Sequence, residues 1–406
     1  MDFSLSEEEK TVRKSVSEFC ETALTPHWIE MDEKGELPVS LISQMAEQGL
    51  VGSTVSTDYG GAGSSLLSAA IAAEQIAYSD PSLGSAVYVL LHNAWPYLLQ
   101  KYGTQEAKEE ILPRITAGEA VMGIWSTEAQ GGSDVAGIRT LTAERKNKTW
   151  ILNGEKSMVS FPDLIEKMPW GGGAFLIART GDVEQRHKTI TTFAFMARRG
   201  GGLAPGFEWT VLEEIGRHSV KTGPVRLKSV NVDQKYVIGK PNEGFRIAME
   251  GFNLARCLIG VATIGAAKWV LDQGVNWIKE RKVRGRPLSN YQGVSFPLAD
   301  LHANLEAARL VCYNAAQLGD RYIRGDSNVS LQDVALASAS AKLTAPQVAL
   351  EVCQEVMKWF GGAAYFKDVP AFRVWRSIMS YVVGAEGTQN VMRQIISRNL
   401  LDSNSD

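Results

Sequence analysis

Glu386 is the residue whose setting most suggests chemistry. It lies in "SYVVGAEGTQNVMRQIISR" (380–398), after an apolar run, between small residues, and just before a segment of helical spacing. A carboxylate with so little polar company is poorly solvated, which disfavours its charged form and raises its pKa. The same position suits an acid near a helix N-terminus, where the dipole favours negative charge and Thr388 acts as cap. Two further segments collect hydroxyls. "GIWSTEAQGGSDVAG" (123–137) combines Ser126, Thr127 and Ser133 with the backbone amides of Gly131 and Gly132. That set can hydrogen-bond a polar heterocycle or a phosphate, or simply form a capped turn at a strand end. "GEKSMVSF" (154–161) ends a hairpin and either presents Met158, Val159 and Ser160 to a ring or buries a strand end.

Other chemistries find no pattern. His27, His92, His187, His218 and His302 are scattered without metal-ligand spacing, so no metal site is expected. There is no GxSxG elbow, and the glycine cluster "DYGGAGSS" (58–65) lacks phosphate-loop spacing and reads as a turn between helices. Four cysteines lie far apart with no CxxC pair, which fits a reducing compartment. A net charge of −3 leaves no basic footprint for nucleic acid or an anionic membrane. The opening "MDFSLSEEEKTVRKSV" carries acids and no apolar h-region follows, so a cytoplasmic chain is expected. The longest apolar stretch, "CLIGVATIGAA" (257–267), is too short to span a bilayer and reads as a buried helix, without membrane insertion.

The elements that must position these residues fall into three zones. Over 1–120 apolar positions recur at three and four, as at Val12, Val16, Phe19 and Ala23, and predict a helical domain. Over 121–235 short β-rich runs such as "AFLIART" and "TITTFAFMAR" alternate with Gly, Asn, Asp and Lys clusters and predict a compact β domain. Over 236–406 the helical period returns in long segments, enough for a bundle of four or five helices. The expected class is α+β, mainly α. Strand and helix do not alternate along the chain, so a doubly wound dinucleotide fold has no support.

Several segments together carry a resemblance. "STEAQGGSD" resembles the TEPxAGSD signature of the acyl-CoA dehydrogenases, and "GEKSMVSF" resembles their GxKxWITN segment. "GKPNEGFRIAMEGFNLAR" (239–256), "ERKVRGRPLSNYQGVSFPLADL" (280–301), "WFGGAAY" and "AEGTQNVMRQIISR" are similar, in the same order, to elements of that family's C-terminal domain. The resemblance implies a helical domain, a middle β-barrel-like domain and a four-helix bundle, assembled as a homotetramer with one FAD per subunit. It implies that Ile124, Ser126 and Thr127 border the flavin ring, that Met158 stands in place of a stacking tryptophan, and that Ser160 faces the N5 side. Arg281, Gln292, Gly361 and Gly362 would reach a neighbouring subunit's FAD, and Thr388 and Asn390 would follow the catalytic acid onto the cofactor. Ser133 would lie towards the acyl-CoA, with Asn253, Arg256, Ala385 and Gly387 near the acyl end. Tyr88, His92 and Trp95 lie where members line the acyl pocket, and interior packing with a satisfied histidine is an equal reading.

The implied reaction is α,β-dehydrogenation of an acyl-CoA with electrons passed to electron-transferring flavoprotein; a flavin oxidase or monooxygenase on the same fold is the alternative. Glu386 would be the α-proton base. The position that supplies the base in some other members is Ala255 here. The chain also departs from the pattern: Ala385 replaces a tyrosine, Arg284 a phenylalanine and Lys358 a glutamine. The bulk lost at Ala385 leads to the expectation of a branched, cyclic or aryl-substituted acyl group, with benzylsuccinyl-CoA and cyclohexane- or cyclohexene-carboxyl-CoA as candidates. Glutaryl-CoA is disfavoured, because the arginine expected to meet its distal carboxylate corresponds to a glycine near Gly84.

Overall fold

A computed structural model describes residues 4–402. Six helices come first: α1 (Glu7–Ala23), α2 (Trp28–Lys34), α3 (Val39–Glu47), α4 (Leu66–Ser79), α5 (Gly84–Tyr102) and α6 (Gln105–Thr116). Ser6 starts α1 with a capping box, its hydroxyl accepting from the Glu9 N–H while the Glu9 carboxylate accepts from the Ser6 N–H. Residues 84–99 of α5 are buried all round, as befits a helix at the centre of its domain.

The middle domain comprises β1 (Ala120–Trp125), β2 (Thr142–Lys146), β3 (Thr149–Ser160), the short α7 (Leu164–Lys167), β4 (Gly171–Arg179), β5 (Ile190–Arg199), β6 (Phe207–Trp209), β7 (Thr222–Asp233) and β8 (Val237–Ile238). They form one eight-stranded sheet in the order β6-β7-β3-β2-β4-β5-β8, with β1 parallel to β4. β8 still pairs with β5, so the sheet runs to Ile238, past the expected limit at 235. β4 is buried at every position, which explains its continuous apolar run.

The third domain is a bundle of long helices: α8 (Gly244–Glu280), α9 (Gln292–Ile323), α10 (Leu331–Phe360), α11 (Ala371–Val383) and α12 (Gln389–Asp402), with a small ribbon, β9 (Lys282–Val283) and β10 (Arg286–Pro287), between α8 and α9. By length and composition α8 could cross a membrane, but 89% of its most apolar window is buried inside the protein. It is the bundle's core helix and packs on α4, α5, α9 and α10. All four cysteines are free and buried.

Candidate active site

Glu386 sits in the loop 384–388 between α11 and α12. Ala385 and Glu386 have φ of 48° and 52°, and Gly387 has 113°. An L residue in the left-handed region costs roughly 1–2 kcal/mol, so this conformation persists only because its surroundings impose it. Two cations do so. Arg256 on α8 donates from Nε to the Glu386 carbonyl at 2.8 Å and from Nη1 to Asn253 Oδ1 at 2.9 Å. Lys342 on α10 is fully buried and donates from Nζ to the carbonyls of Tyr381 and Gly384, the latter at 3.1 Å.

A third cation, Arg217, in the loop before β7, lies over the Tyr381 ring at 5.9 Å from its centroid. Burial pushes the Glu386 carboxyl above the usual range, and Lys342, Arg256 and Arg217 pull it part of the way back. Burial also draws Lys342 down to about 7 and Arg256 to about 10, each opposed by the Glu386 charge.

Thr388 caps α12, its Oγ1 accepting from the Val391 N–H at 3.4 Å, and Asn390 Oδ1 accepts from Arg393 at 2.9 Å. The cap thus falls to Thr388, and Glu386 stays outside the helix. Trp95 is buried against Phe175 and Phe252, in space that Gly251 leaves open: a Cβ there would come within 2.4 Å of the indole. Its N–H, without a partner in hydrogen-bond geometry, faces Glu386 and favours the charged form. Tyr88 is fully buried with its hydroxyl unpartnered, edge-on to Phe161.

His92 is a correction to the expected acyl pocket. Its Nδ1 donates to the Tyr88 carbonyl at 2.6 Å and its Nε2 accepts from the Met122 N–H at 2.9 Å, so both nitrogens are engaged in tying α5 to β1. Burial holds it neutral, with a pKa of about 4. The arrangement is a satisfied core histidine and leaves nothing for a substrate.

The hydroxyl segments come together at strand ends. The Ser157 N–H donates to the Thr127 carbonyl at 2.9 Å, and a Cβ on Gly123 would lie 3.6 Å from the Ser160 carbonyl, so Ile124–Thr127 and Met158–Ser160 are neighbours. Beneath them Glu128 and Lys156, both fully buried, pair at 2.9 Å. Glu128 also accepts from the N–H groups of Arg139, Thr140 and Leu141, and Lys156 donates to the Ser126 carbonyl. Burial pushes the Glu128 carboxyl up, but Lys156 and the backbone N–H groups outweigh it and hold it at about 2.

This end of the sheet fits an isoalloxazine. The hydroxyls of Ser126, Thr127 and Ser160 make no hydrogen bond among the described residues, while Thr222, opposite Ser160 in the β3–β7 register, turns its buried hydroxyl towards Glu214. Met158, with φ of 61°, is 61% exposed beside them. A Cβ on Gly131 would meet nothing within 4 Å, and Ser133 is exposed on the same turn.

Arg281, Gln292, Gly361 and Gly362 lie at one end of the bundle, away from the Glu386 loop. There the Trp277 indole of α8 donates to the Trp359 carbonyl and packs on Phe360 of α10. Arg281 is about 37 Å along the α8 axis from Arg256 at 1.5 Å per residue, so within one chain these residues do not join the Glu386 loop.

Sequence reasoning missed Lys342, Arg217 and the Glu128–Lys156 pair. A signal existed for Lys342, which falls on the buried stripe Val334, Ser338, Ala341, Ala345 and Ala349 of α10. Arg217 sits in an irregular loop, where no periodicity marks an inward side chain.

Protein-family models for the N-terminal, middle and C-terminal domains of acyl-CoA dehydrogenase match residues 6–119, 123–230 and 242–401. An acyl-CoA dehydrogenase of Bacillus subtilis (strain 168) is 30% identical over 402 residues, 98% of this chain and 99% of that protein. A 3-(aryl)acrylate reductase of Clostridium sporogenes (strain ATCC 15579) is 29% identical, over 98% of this chain and 99% of that protein. Among solved structures, glutaryl-coenzyme A dehydrogenase in its glutaryl-CoA complex superposes with a TM-score of 0.89 at 28% identity, covering 99% of this chain and 97% of that one.

Proposed function

The chain belongs to the acyl-CoA dehydrogenase family, FAD-dependent oxidoreductases acting on CH–CH bonds, and on that premise we propose that Glu386 is the base that removes the α-proton of a bound acyl-CoA. The observation that carries this reading is the strained loop itself, with a partly buried carboxylate whose backbone is clamped by Arg256 and Lys342. The Glu386 N–H makes no hydrogen bond among the described residues and is available to the thioester carbonyl, where it would stabilise the charge that develops as the α-proton leaves. FAD, when bound, supplies the acceptor for the β-hydride. Ile124, Ser126, Thr127, Met158 and Ser160 would border its ring, with Thr388 and Asn390 beside them, while Ser133 would meet the acyl-CoA.

The acyl group is branched, cyclic or aryl-substituted, with benzylsuccinyl-CoA a candidate, because Ala385 leaves space beside the carboxylate. Electron-transferring flavoprotein takes the electrons, and the enzyme works in the cytoplasm as a homotetramer whose Arg281, Gln292, Gly361 and Gly362 serve a neighbour's cofactor. The likeness to a 3-(aryl)acrylate reductase supports a second reading, in which Glu386 returns the proton and the reaction runs towards the saturated acid derivative.

The test is anaerobic flavin bleaching across straight, branched, cyclic and aryl acyl-CoAs, with reduced enzyme and enoyl-CoAs for the reverse direction. Glu386→Gln is expected to keep FAD and acyl-CoA binding and to lose bleaching by about 10²- to 10⁴-fold. Undiminished bleaching in that variant would move the base elsewhere. Preference for a straight medium chain would refute the argument from Ala385, and fast reoxidation in air with peroxide release would favour an oxidase.

A further inference from the structure

The loop that leads into β7 carries groups that α-proton removal leaves without a task. It is firmly anchored. The Arg217 N–H donates to Ser377 Oγ on α11 at 3.1 Å, and the His218 N–H donates to Asp32 Oδ1 on α2 at 3.3 Å. Gly216 lies so close to α11 that a Cβ would be 2.7 Å from the Arg376 carbonyl carbon. Arg217 itself has φ of 56°, and the strained turn delivers its guanidinium onto the Tyr381 ring, close enough to Glu386 to act on its charge. Such a combination of anchoring and backbone strain is characteristic of a pre-organised binding group.

Arg217 Nε is buried and donates to nothing, and neighbouring groups share that condition. The Tyr381 hydroxyl faces the guanidinium without reaching hydrogen-bond geometry, and that of Ser219, two residues on, is unpartnered. Ser219 Oγ occupies the space beside Gly84, where a Cβ would sit 1.8 Å from it. Ser85 and, one turn along α5, Tyr88 likewise present buried hydroxyls without partners. Buried unsatisfied polar groups cost roughly 1–3 kcal/mol each, so a cluster of them calls for an occupant. All of these groups can donate a hydrogen bond; Ser85 faces the buried Asp80 carboxylate, whereas Arg217 Nε and the hydroxyls of Ser219 and Tyr88 have no acceptor in hydrogen-bond geometry.

The missing component is therefore rich in acceptors, and the presence of a guanidinium makes it an anion. A carboxylate has four lone-pair sites, takes an arginine fork, and accepts from hydroxyls at its remaining positions. Arg256 and Lys342 do not compete for it, because the first is engaged with the Glu386 carbonyl and Asn253, and the second with the carbonyls of Tyr381 and Gly384. Glu214 faces Arg217 and the Thr222 hydroxyl from the same loop, with neither carboxylate oxygen in hydrogen-bond geometry.

We propose that the acyl group carries a second carboxylate, bound by Arg217 together with the hydroxyls of Tyr381 and Ser219. The inference rests on the acyl-CoA dehydrogenation reading of this site and narrows its substrates to CoA thioesters of dicarboxylic acids.

The test compares glutaryl-CoA and 2-benzylsuccinyl-CoA, each with its ω-methyl ester, in anaerobic flavin bleaching by the FAD-loaded enzyme. At least one free acid is expected to exceed its ester by about 10²-fold in kcat/KM, chiefly through KM, the size expected when a buried charged partner is lost. R217Q is expected to collapse that ratio to within a few-fold, and R217K to restore part of it. The wild-type comparison stands even if R217Q does not fold. Equal use of acid and ester by the wild type overturns the carboxylate proposal and leaves the dehydrogenase reading in place, as does an R217Q enzyme that keeps the full preference. Absence of bleaching by every acyl-CoA, the uncharged ones included, overturns the dehydrogenase reading and this inference with it.

Discussion

Lys342 is the least expected neighbour of Glu386, since an ammonium is rarely taken wholly out of water. It holds the carbonyls at both ends of the turn that leaves α11, and burial draws its pKa down to about 7. Among the groups that favour the Glu386 carboxylate it acts most strongly. Replacing it in K342M should therefore raise the Glu386 pKa further. A base works deprotonated, so bleaching rises with pH through that pKa, and the acid limb of the rate profile should move to higher pH in the variant. A limb that does not move would remove Lys342 from the tuning of the base. Its own titration has a second consequence. Between about 7 and the ordinary 10.5 the unfolded chain holds a proton that the folded chain lacks, so stability rises with pH across that window. Urea unfolding at both ends of the window should show the rise in the wild type and a flatter response in K342M. Glu386 could be read as special because the small residues around it leave a carboxylate no local partner, whereas its cations come from α8, α10 and the β7 loop, distances in sequence that local pattern cannot bridge.

The order of helices, strands and helices follows from periodicity, because burial on one helical stripe or on alternate strand positions leaves a repeat in the sequence. What ties elements together does not. His92 looks like any polar residue in an apolar helix until β1 brings the Met122 N–H to its Nε2. The two-residue strand β8 is too short to carry an alternation, so the sheet outlasts the predicted boundary. The Glu128–Lys156 pair is the strongest such tie, locking the turn after β1 to the end of β3 beneath the hydroxyls proposed to border the flavin. Removing one charge leaves the other buried and unpaired. E128Q should accordingly lose about 3–5 kcal/mol of stability and release FAD more readily, while the double variant E128Q/K156M should recover part of both losses. Chemical denaturation and flavin content after gel filtration measure the two effects. An E128Q protein as stable as the wild type, with full flavin, would show that the pair is dispensable for this corner.

At the scale of the whole molecule, the residues assigned to FAD lie at two places that one chain does not bring together. The Glu386 loop is held by Arg256 in the first half of α8, and Arg281 follows its far end, about 37 Å along the axis. Around Arg281 the surface is open: a methyl added at Gly361 or Gly362 would meet nothing within 4 Å, and Tyr365 and Phe366 are 93% and 66% exposed. If each site takes Glu386 from one copy and Arg281 from its neighbour, defects in the two residues must complement across the interface. In a mixed dimer of E386Q and R281A subunits, one site receives both lesions and the other receives neither. Random reassembly of equal amounts makes about half of the pairs mixed, so about a quarter of all sites should regain full bleaching, although each parent alone is impaired. The assay is bleaching per FAD after the two proteins are dissociated, mixed and reassembled, with unmixed parents as controls. Activity that stays at the average of the parents would place both residues in one subunit's site, and would require the bundle end and the Glu386 loop to meet by a rearrangement that α8, buried along most of its length, gives no room for.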